Sequence, residues 1–144
     1  AFYDTFIKKA NVSFINNETY NLLSVSTAAL VTSGTATLET ALFKVPQVVC
    51  YKANSISYQI AKRIITLKFI SLVNLIMDKE VVIELIQNDF NPKRLKKELN
   101  NILNKSKRED IFMNYFELEK KLGGKGASEK TASLIFNAIK NNNS

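Results

Sequence analysis

One segment, residues 28–51, constrains the fold of this 144-residue chain more than any other. Residues 28–31 are an uninterrupted apolar run, which is typical of a strand buried on both faces. A short turn leads into a helix predicted over 35–43, which ends before Pro46, and residues 47–51 predict a second buried strand. This is a compact βαβ unit, so we expect parallel strands joined by a right-handed crossover.

Further strands and helices are predicted on both sides of this unit. We expect a short strand at 12–15 and one or two helical turns at 18–24 before it. After it we expect a helix at 57–67, a third core strand at 69–73, and then a helix capped by Asp78. Strands and helices alternate in the first part of the chain, and the second part is mostly helical. This pattern predicts an α/β fold, an open parallel sheet covered by helices.

Three more helices are predicted in the last third of the chain. The first begins at Asn91-Pro92, the second covers 108–122 before Gly123-Gly124, and Ser128 caps the third. Apolar residues at helical spacing predict their inward faces: Leu95, Leu99, Ile102 and Leu103; Ile111, Tyr115, Leu118 and Leu122; Ala132, Ile135, Phe136 and Ile139.

The composition excludes several kinds of chemistry. The chain has no histidine and one cysteine, so imidazole catalysis, an internal disulfide, a Cys-x-x-Cys pair and a zinc knuckle are excluded within it. We expect Cys50, in an apolar run, to be buried and reduced in a cytoplasmic compartment. No apolar run approaches the ~18 residues of a membrane span, and no signal peptide is recognisable. The start at Ala1, without methionine, suggests an excised segment.

Positive charge is concentrated in the second part of the chain. The net charge is +7, and residues 1–51 contribute none of it. Basic residues cluster at 52–68 and at 93–108, and such faces attract the phosphates of nucleic acid, nucleotides or anionic lipid. A solvated helix surface is the alternative, especially for 93–108. At 52–68 the basic residues alternate with large apolar ones, which makes Lys62, Arg63 and Lys68 candidates for contact with a membrane surface.

The turn at Ser33, Gly34 and Thr35 is the candidate ligand site. The peptide N–H groups at a helix start have no intrahelical partners and bind phosphate well, and Gly34 would let the backbone approach an anion closely. Glu39, one helical turn further, could accept both hydroxyls of a ribose. Turns of this type also occur without a ligand, so both interpretations stay open.

Other phosphate motifs are absent or misplaced. There is no G-x-x-x-x-G-K-[ST] loop, and Gly124-Lys125-Gly126 follows a helix rather than a strand. That tripeptide is interpreted as a connector between helices, with assistance to a phosphate from backbone N–H groups near Ser128 as the remaining alternative.

The sequence SGTATLETALFKVPQVVCYK, at 33–52, closely resembles the lipid-A-disaccharide synthase family. The similarity continues through IAKRIITLKFISLVNLI, DKEVVIELIQ and GASEKTA, and it covers about residues 11–135. The resemblance implies a GT-B fold, in which two Rossmann-like domains face a cleft. Residues 1–144 would form a single nucleotide-sugar-binding domain, the C-terminal lobe. Residues 108–144 would be a helical tail that subunits of a homodimer could exchange.

The resemblance also implies roles for individual residues. Ser33, Gly34 and Thr35 would lie at the diphosphate of a UDP-sugar, and Glu39 would hold the ribose. Tyr51 would end the next strand near the nucleotide, or serve only as an anchor there. Asn74 would point into the cleft, or serve as a cap or turn residue.

The implied reaction is the inverting transfer of diacylglucosamine from UDP-2,3-diacylglucosamine to 2,3-diacylglucosamine 1-phosphate, which releases UDP. No metal or other cofactor is expected. The general base would belong to the N-terminal domain, so no catalytic residue is expected in this chain and we expect it to be inactive alone. The family's substrates imply a cytoplasmic enzyme that is peripheral on the inner membrane.

Three alternatives remain at the level of sequence. The chain could belong to another UDP-sugar GT-B enzyme, such as the transferase of peptidoglycan assembly or a UDP-sugar epimerase. A pI of about 9.5 is compatible with a nucleic-acid-binding module, although no recognition motif is present and we expect no nucleic-acid partner. The chain could also act only in assembly.

Overall fold

A computed structural model of the chain describes residues 4–10, 12–32, 34–54, 68–123 and 126–142. In these residues a three-stranded parallel sheet is accompanied by seven α-helices. In chain order the elements are α1 (Asp4–Ala10), α2 (Thr19–Val25), β1 (Ala29–Thr32), α3 (Thr35–Leu42), β2 (Gln47–Tyr51), α4 (Leu72–Met77), β3 (Ile83–Ile86), a 3-10 turn (Gln87–Asp89), α5 (Pro92–Leu103), α6 (Lys105–Lys121) and α7 (Ala127–Asn142).

The predicted parallel βαβ unit is confirmed. The strand order is β1-β2-β3, both neighbouring pairs are parallel, and Thr32 lies opposite Cys50 while Tyr51 lies opposite Ile86. Central strand β2 is buried up to its last residue. The expectation that the first strand is buried on both faces is wrong, because β1 is an edge of the described sheet and Leu30 is 49% exposed.

The core lies between the sheet and the helices of the second half. Helices α3, α4 and α6 contact one another, and α3 and α5 contact β2. The predicted inward residues of α6, Ile111, Tyr115 and Leu118, are buried, as is Ile102 of α5. Leu103 is exposed instead of buried, and the carboxylate residue Glu98 is buried beside Ile102. The inward face of α5 is therefore rotated slightly from the predicted one.

The predicted strand at 12–15 is wrong. These residues have no regular structure, and Phe14 is 68% exposed. A strand requires a partner for its backbone groups, and within the described residues the sheet contains only β1, β2 and β3. Local composition alone therefore predicted a strand that nothing pairs with.

The third core strand lies later in the chain than predicted. The strand predicted at 69–73 does not form: residues 72 and 73 instead begin helix α4, whose first turn is capped by the side chain of Ser71. Asp78 does not begin a helix; it ends α4 with a left-handed φ of 51°. Residues 83–86, predicted to be helical, form β3 beside β2. Short apolar runs suit a buried strand and a buried helix equally, so tertiary pairing decides between them.

The last helix forms as expected, but its apolar face is not buried. Helix α7 begins at Ala127, so Ser128 lies in its first turn and is not its cap. Ile135, Phe136 and Ile139 were predicted to face inward and are all more than half exposed. The helix predicted at 57–67 lies outside the described residues.

Candidate functional site

The turn between β1 and α3 has a backbone that requires glycine. Gly34 adopts φ 126° and ψ −161°, a region that residues with a Cβ avoid. Thr35 begins α3, is exposed, and no side chain caps the start of the helix. Ser33 lies outside the described residues. The turn therefore presents the open N-terminus of a helix at the carboxyl end of a parallel strand, which is the edge where α/β sheets bind ligands.

A buried set of hydrogen bonds fixes the first turn of α3. The backbone N–H and the hydroxyl of Thr37 both donate to the carbonyl of Gly34, at 3.2 and 2.8 Å. The amide Nε2 of Gln47, fully buried in β2, donates to the carbonyl of Thr37 at 2.8 Å and to the hydroxyl of Tyr115 at 3.3 Å. The phenol of Tyr115 is in turn buried, which raises its pKa, so it stays neutral.

Glu39 lines a cavity beside the same helix. The cavity has a volume of about 460 Å³, and its other lining residues are 17–21, at the start of α2. Glu39 is half-buried, and Tyr20 of the lining stacks on Phe43 with the ring centroids 5.4 Å apart. The sequence predicted the position of Glu39 but not its neighbours, because nothing local connects 17–21 with α3.

Tyr51 lies at the carboxyl edge as predicted. It is the last residue of β2, opposite Ile86 of β3, and it is 38% exposed. Its place at the strand end is confirmed, whereas its predicted role near a nucleotide stays a prediction.

Asn74 is held in the interior of the described fold, and its predicted role at the UDP-sugar stays a prediction. Asn74 is fully buried in α4, and both of its polar side-chain atoms have partners. Its Oδ1 accepts from the N–H groups of Val81 and Val82 at 2.8 and 3.0 Å. Its Nδ2 donates to the carbonyl of Val82 at 2.8 Å and to Glu84 at 2.9 Å. The alternative interpretation as a turn residue is the one that this geometry supports.

Glu84 is a second polar residue that organises this region, and sequence reasoning missed it. Its carboxylate accepts from the N–H groups of Ile70 and Ser71 at 2.9 and 3.0 Å, and from the Ser71 hydroxyl at 2.8 Å. Together with Asn74 it joins the loop before α4 to strand β3. No signal in the sequence marks it, since acceptors of this kind are recognised only from their partners.

The relationship to known proteins follows from comparison of the whole chain. A family model described as lipid-A-disaccharide synthetase matches residues 3–138. The chain is 41% identical over 130 residues to the lipid-A-disaccharide synthase of Syntrophus aciditrophicus, covering 90% of the chain and 34% of that protein. It is 40% identical over 127 residues to the synthase of Hahella chejuensis, covering 86% and 32%.

The chain belongs to the lipid-A-disaccharide synthase family.

It spans about a third of the length of these relatives. The family of glycosyltransferases that the sequence resembles is thus confirmed, and so is the α/β class of its fold. The described residues predicted for the donor site lie on three elements. Gly34, Thr35 and Glu39 share helix α3 and its start. Tyr51 ends β2, and Asn74 is buried in α4.

The structure describes one of the three predicted membrane-contact residues, Lys68, and the single cysteine, Cys50. Lys68 is exposed, with its Nζ 3.9 Å from Oδ1 of Asp78, while Lys62 and Arg63 lie outside the described residues. Cys50 is buried as expected, and burial raises the pKa of its thiol. Within residues 4–142, gaps excepted, no group of three or more aspartate, glutamate or cysteine side chains is arranged to hold a metal ion. Likewise, no helix in the described part of the chain is long and apolar enough to cross a membrane.

The backbone conformation of Gly34 predicts that replacing this residue by alanine destabilises the turn. A methyl group at Gly34 would meet no atom within 4 Å, so the cost of Gly34→Ala is the backbone conformation alone. We expect the free energy of unfolding, measured in urea, to fall by about 1–3 kcal/mol. Thr35→Ala, one residue on and exposed, is the matched control and should change it by less than ~0.5 kcal/mol. Equal values for the two variants would show that the turn is not strained for other residues.

Proposed function

We propose that this chain binds the UDP-sugar donor of a lipid-A-disaccharide synthase. The supporting observation is the juxtaposition, on one helix, of the glycine-dependent open N-terminus at Gly34 and the cavity lined by Glu39. The donor would be UDP-2,3-diacylglucosamine and the acceptor 2,3-diacylglucosamine 1-phosphate, as the family resemblance implies. The product would be the disaccharide precursor of lipid A, together with UDP.

Each part of UDP has a proposed partner at the start of α3 or beside it. A diphosphate at the start of α3 would meet unpaired N–H groups, the positive end of the helix dipole and the hydroxyls of Ser33 and Thr35. The open groove beside Glu39 has a volume of about 460 Å³, and the nucleoside would lie in it. The Glu39 carboxylate would then accept the two ribose hydroxyls.

Catalysis on this side of the cleft would be electrostatic. As the bond between the anomeric carbon and the diphosphate oxygen breaks, negative charge grows on the leaving UDP. Fixed N–H groups at the helix start stabilise that charge without reorganisation, which lowers the barrier. The acceptor hydroxyl attacks from the opposite face of the sugar and inverts the anomeric carbon. Its general base is expected in the N-terminal domain of the synthase.

If this chain binds the donor and the general base lies in the N-terminal domain, the isolated chain should bind UDP but not catalyse the transfer. We expect the purified 144-residue chain to bind UDP with a dissociation constant in the high-micromolar to millimolar range, roughly −4 to −6 kcal/mol, because only one wall of the cleft is present. We expect no formation of the disaccharide from donor and acceptor. Calorimetry and a product assay with radiolabelled acceptor measure the two properties. Absence of UDP binding would contradict the proposed function, and turnover would contradict the placement of the base.

Membrane contact through Lys62, Arg63 and Lys68, peripheral location on the inner membrane and a homodimer remain predictions. The exposed apolar face of α7 supports assembly with another surface, because Leu134 and Phe136 are 62% and 67% exposed. The N-terminal domain of the synthase and a second copy of the chain are the two partners that the family resemblance implies.

A further inference from the structure

Tyr20 is an exposed aromatic residue of the cavity beside Glu39. It lies in the first turn of α2, lines the cavity together with Glu39, and is 59% exposed. Its ring stacks on that of Phe43, with the centroids 5.4 Å apart and the ring planes inclined by 18°. Phe43 therefore covers one face of the Tyr20 ring and fixes its orientation, and the opposite face is the one available to a ligand.

Phe43 places this aromatic pair one helical turn after Glu39. The backbone N–H of Phe43 donates to the carbonyl of Glu39 at 3.0 Å, so the two residues are in helical register and lie on the same face of α3. Thr35, at the start of α3, is one turn before Glu39. Each of these two steps advances about 6 Å along the helix. The helix start, Glu39 and the aromatic pair thus succeed one another along one side of α3.

The remaining lining of the cavity is polar. It consists of Asn17, Glu18, Thr19 and Asn21, and the carboxylate of Glu18 accepts a hydrogen bond from the side-chain amide of Asn21. An acyl chain in this place would displace water from these polar groups without replacing its hydrogen bonds, which costs free energy. A nucleobase has an aromatic face and a polar edge, so it matches a tyrosine ring that is surrounded by amide groups.

We propose that Tyr20 is the stacking platform for the pyrimidine of the donor. This inference rests on the proposed function and deepens it, because it assigns a residue to the base. With the diphosphate at the helix start and the ribose at Glu39, the base lies one turn further along α3, on the face of Tyr20 that Phe43 leaves open. Stacking recognises the flat π-face of the base, so Tyr20 distinguishes a planar pyrimidine from a saturated ring rather than one pyrimidine from another.

The test compares UDP with 5,6-dihydro-UDP, whose base keeps its polar groups but is saturated and no longer planar. We expect the 144-residue chain to bind UDP about tenfold more tightly than dihydro-UDP, because only UDP stacks. Tyr20→Leu should weaken UDP binding about tenfold and dihydro-UDP binding less than about twofold, so that the two affinities become nearly equal. Tyr20→Phe keeps the ring and should bind both ligands as the parent chain does.

A second measurement needs no variant. The H5 and H6 proton resonances of UDP should move upfield when UDP binds to the parent chain, because these protons would lie over the face of an aromatic ring. Phe136→Leu is the matched control for the variants. Phe136 is 67% exposed on α7 and is not among the residues that line the cavity, so its replacement should change neither affinity.

Four results would overturn the inference while leaving the proposed function intact. These are equal binding of UDP and dihydro-UDP by the parent chain, equal losses for both ligands or no loss in Tyr20→Leu, weakened UDP binding in Tyr20→Phe, and the absence of an upfield shift in bound UDP. Failure of the parent chain to bind UDP would overturn both.

Discussion

Replacement of Asn74 by alanine is expected to lower the free energy of unfolding by about 3 kcal/mol. The side chain is fully buried and takes part in four hydrogen bonds, two as acceptor and two as donor. Alanine would remove the side-chain acceptor of the buried Val82 N–H, while the N–H of Val81 would keep its bond to the carbonyl of Lys79 at 3.0 Å. It would also remove the contact that ties α4 to Glu84, so the loss should exceed that of an ordinary surface hydrogen bond.

The experiment is urea denaturation followed by circular dichroism, with Asn101→Ala as the control. Asn101 is an exposed residue of α5 whose amide contacts Glu98, so it has the same chemistry without the burial. Its replacement should change the free energy of unfolding by less than ~1 kcal/mol. If the two asparagine variants were equally stable, the structural role assigned to Asn74 would be wrong, and its predicted orientation into the cleft would have to be reconsidered.

Replacement of Glu39 by alanine is expected to weaken UDP binding about 30-fold, or ~2 kcal/mol, without a comparable loss of stability. A carboxylate that accepts two hydroxyl groups makes two charge-assisted hydrogen bonds, and these are the strongest kind that a ribose can offer. Glu39→Gln keeps the shape but not the charge, so its effect should be smaller than that of alanine.

Comparison of UDP with 2′-deoxy-UDP tests whether Glu39 contacts the ribose 2′-hydroxyl. The parent chain should bind 2′-deoxy-UDP more weakly than UDP, whereas Glu39→Ala should bind the two ligands equally, because the partner of the 2′-hydroxyl has gone. Glu109→Ala, an exposed carboxylate on α6, is the control for a change of net charge. If Glu39→Ala still discriminated between the two ligands, Glu39 would not be the partner of the ribose 2′-hydroxyl.

The parts of the fold that could be predicted are those whose signals are local. The βαβ unit around Gly34 follows from two apolar runs, a tight turn and a helix that Pro46 follows. Segment 69–86 could not be predicted in the same way. There the order is loop, helix α4, turn and strand β3, and the choice of strand depends on which run reaches the free edge of β2. That choice is made by tertiary contacts, so a strand was predicted too early.

In the candidate site, too, the residues with local sequence signals could be predicted and those with distant partners could not. Gly34, Thr35 and Glu39 could be predicted together because a candidate phosphate-binding helix start and a residue one turn further are neighbours in sequence. Gln47 was missed because its partner is distant: it bonds to Tyr115, 68 positions away. A glutamine at the start of a strand carries no signal until that partner is known.

Amide NMR of the chain during a titration with UDP would show whether UDP binds at the start of α3 and beside Glu39. We expect the largest shift changes on Gly34 and the first turn of α3, and on residues 17–21 of the cavity, while the exposed basic residues of α5 stay unchanged. Shift changes centred on α5, or none at all up to millimolar UDP, would contradict this binding site.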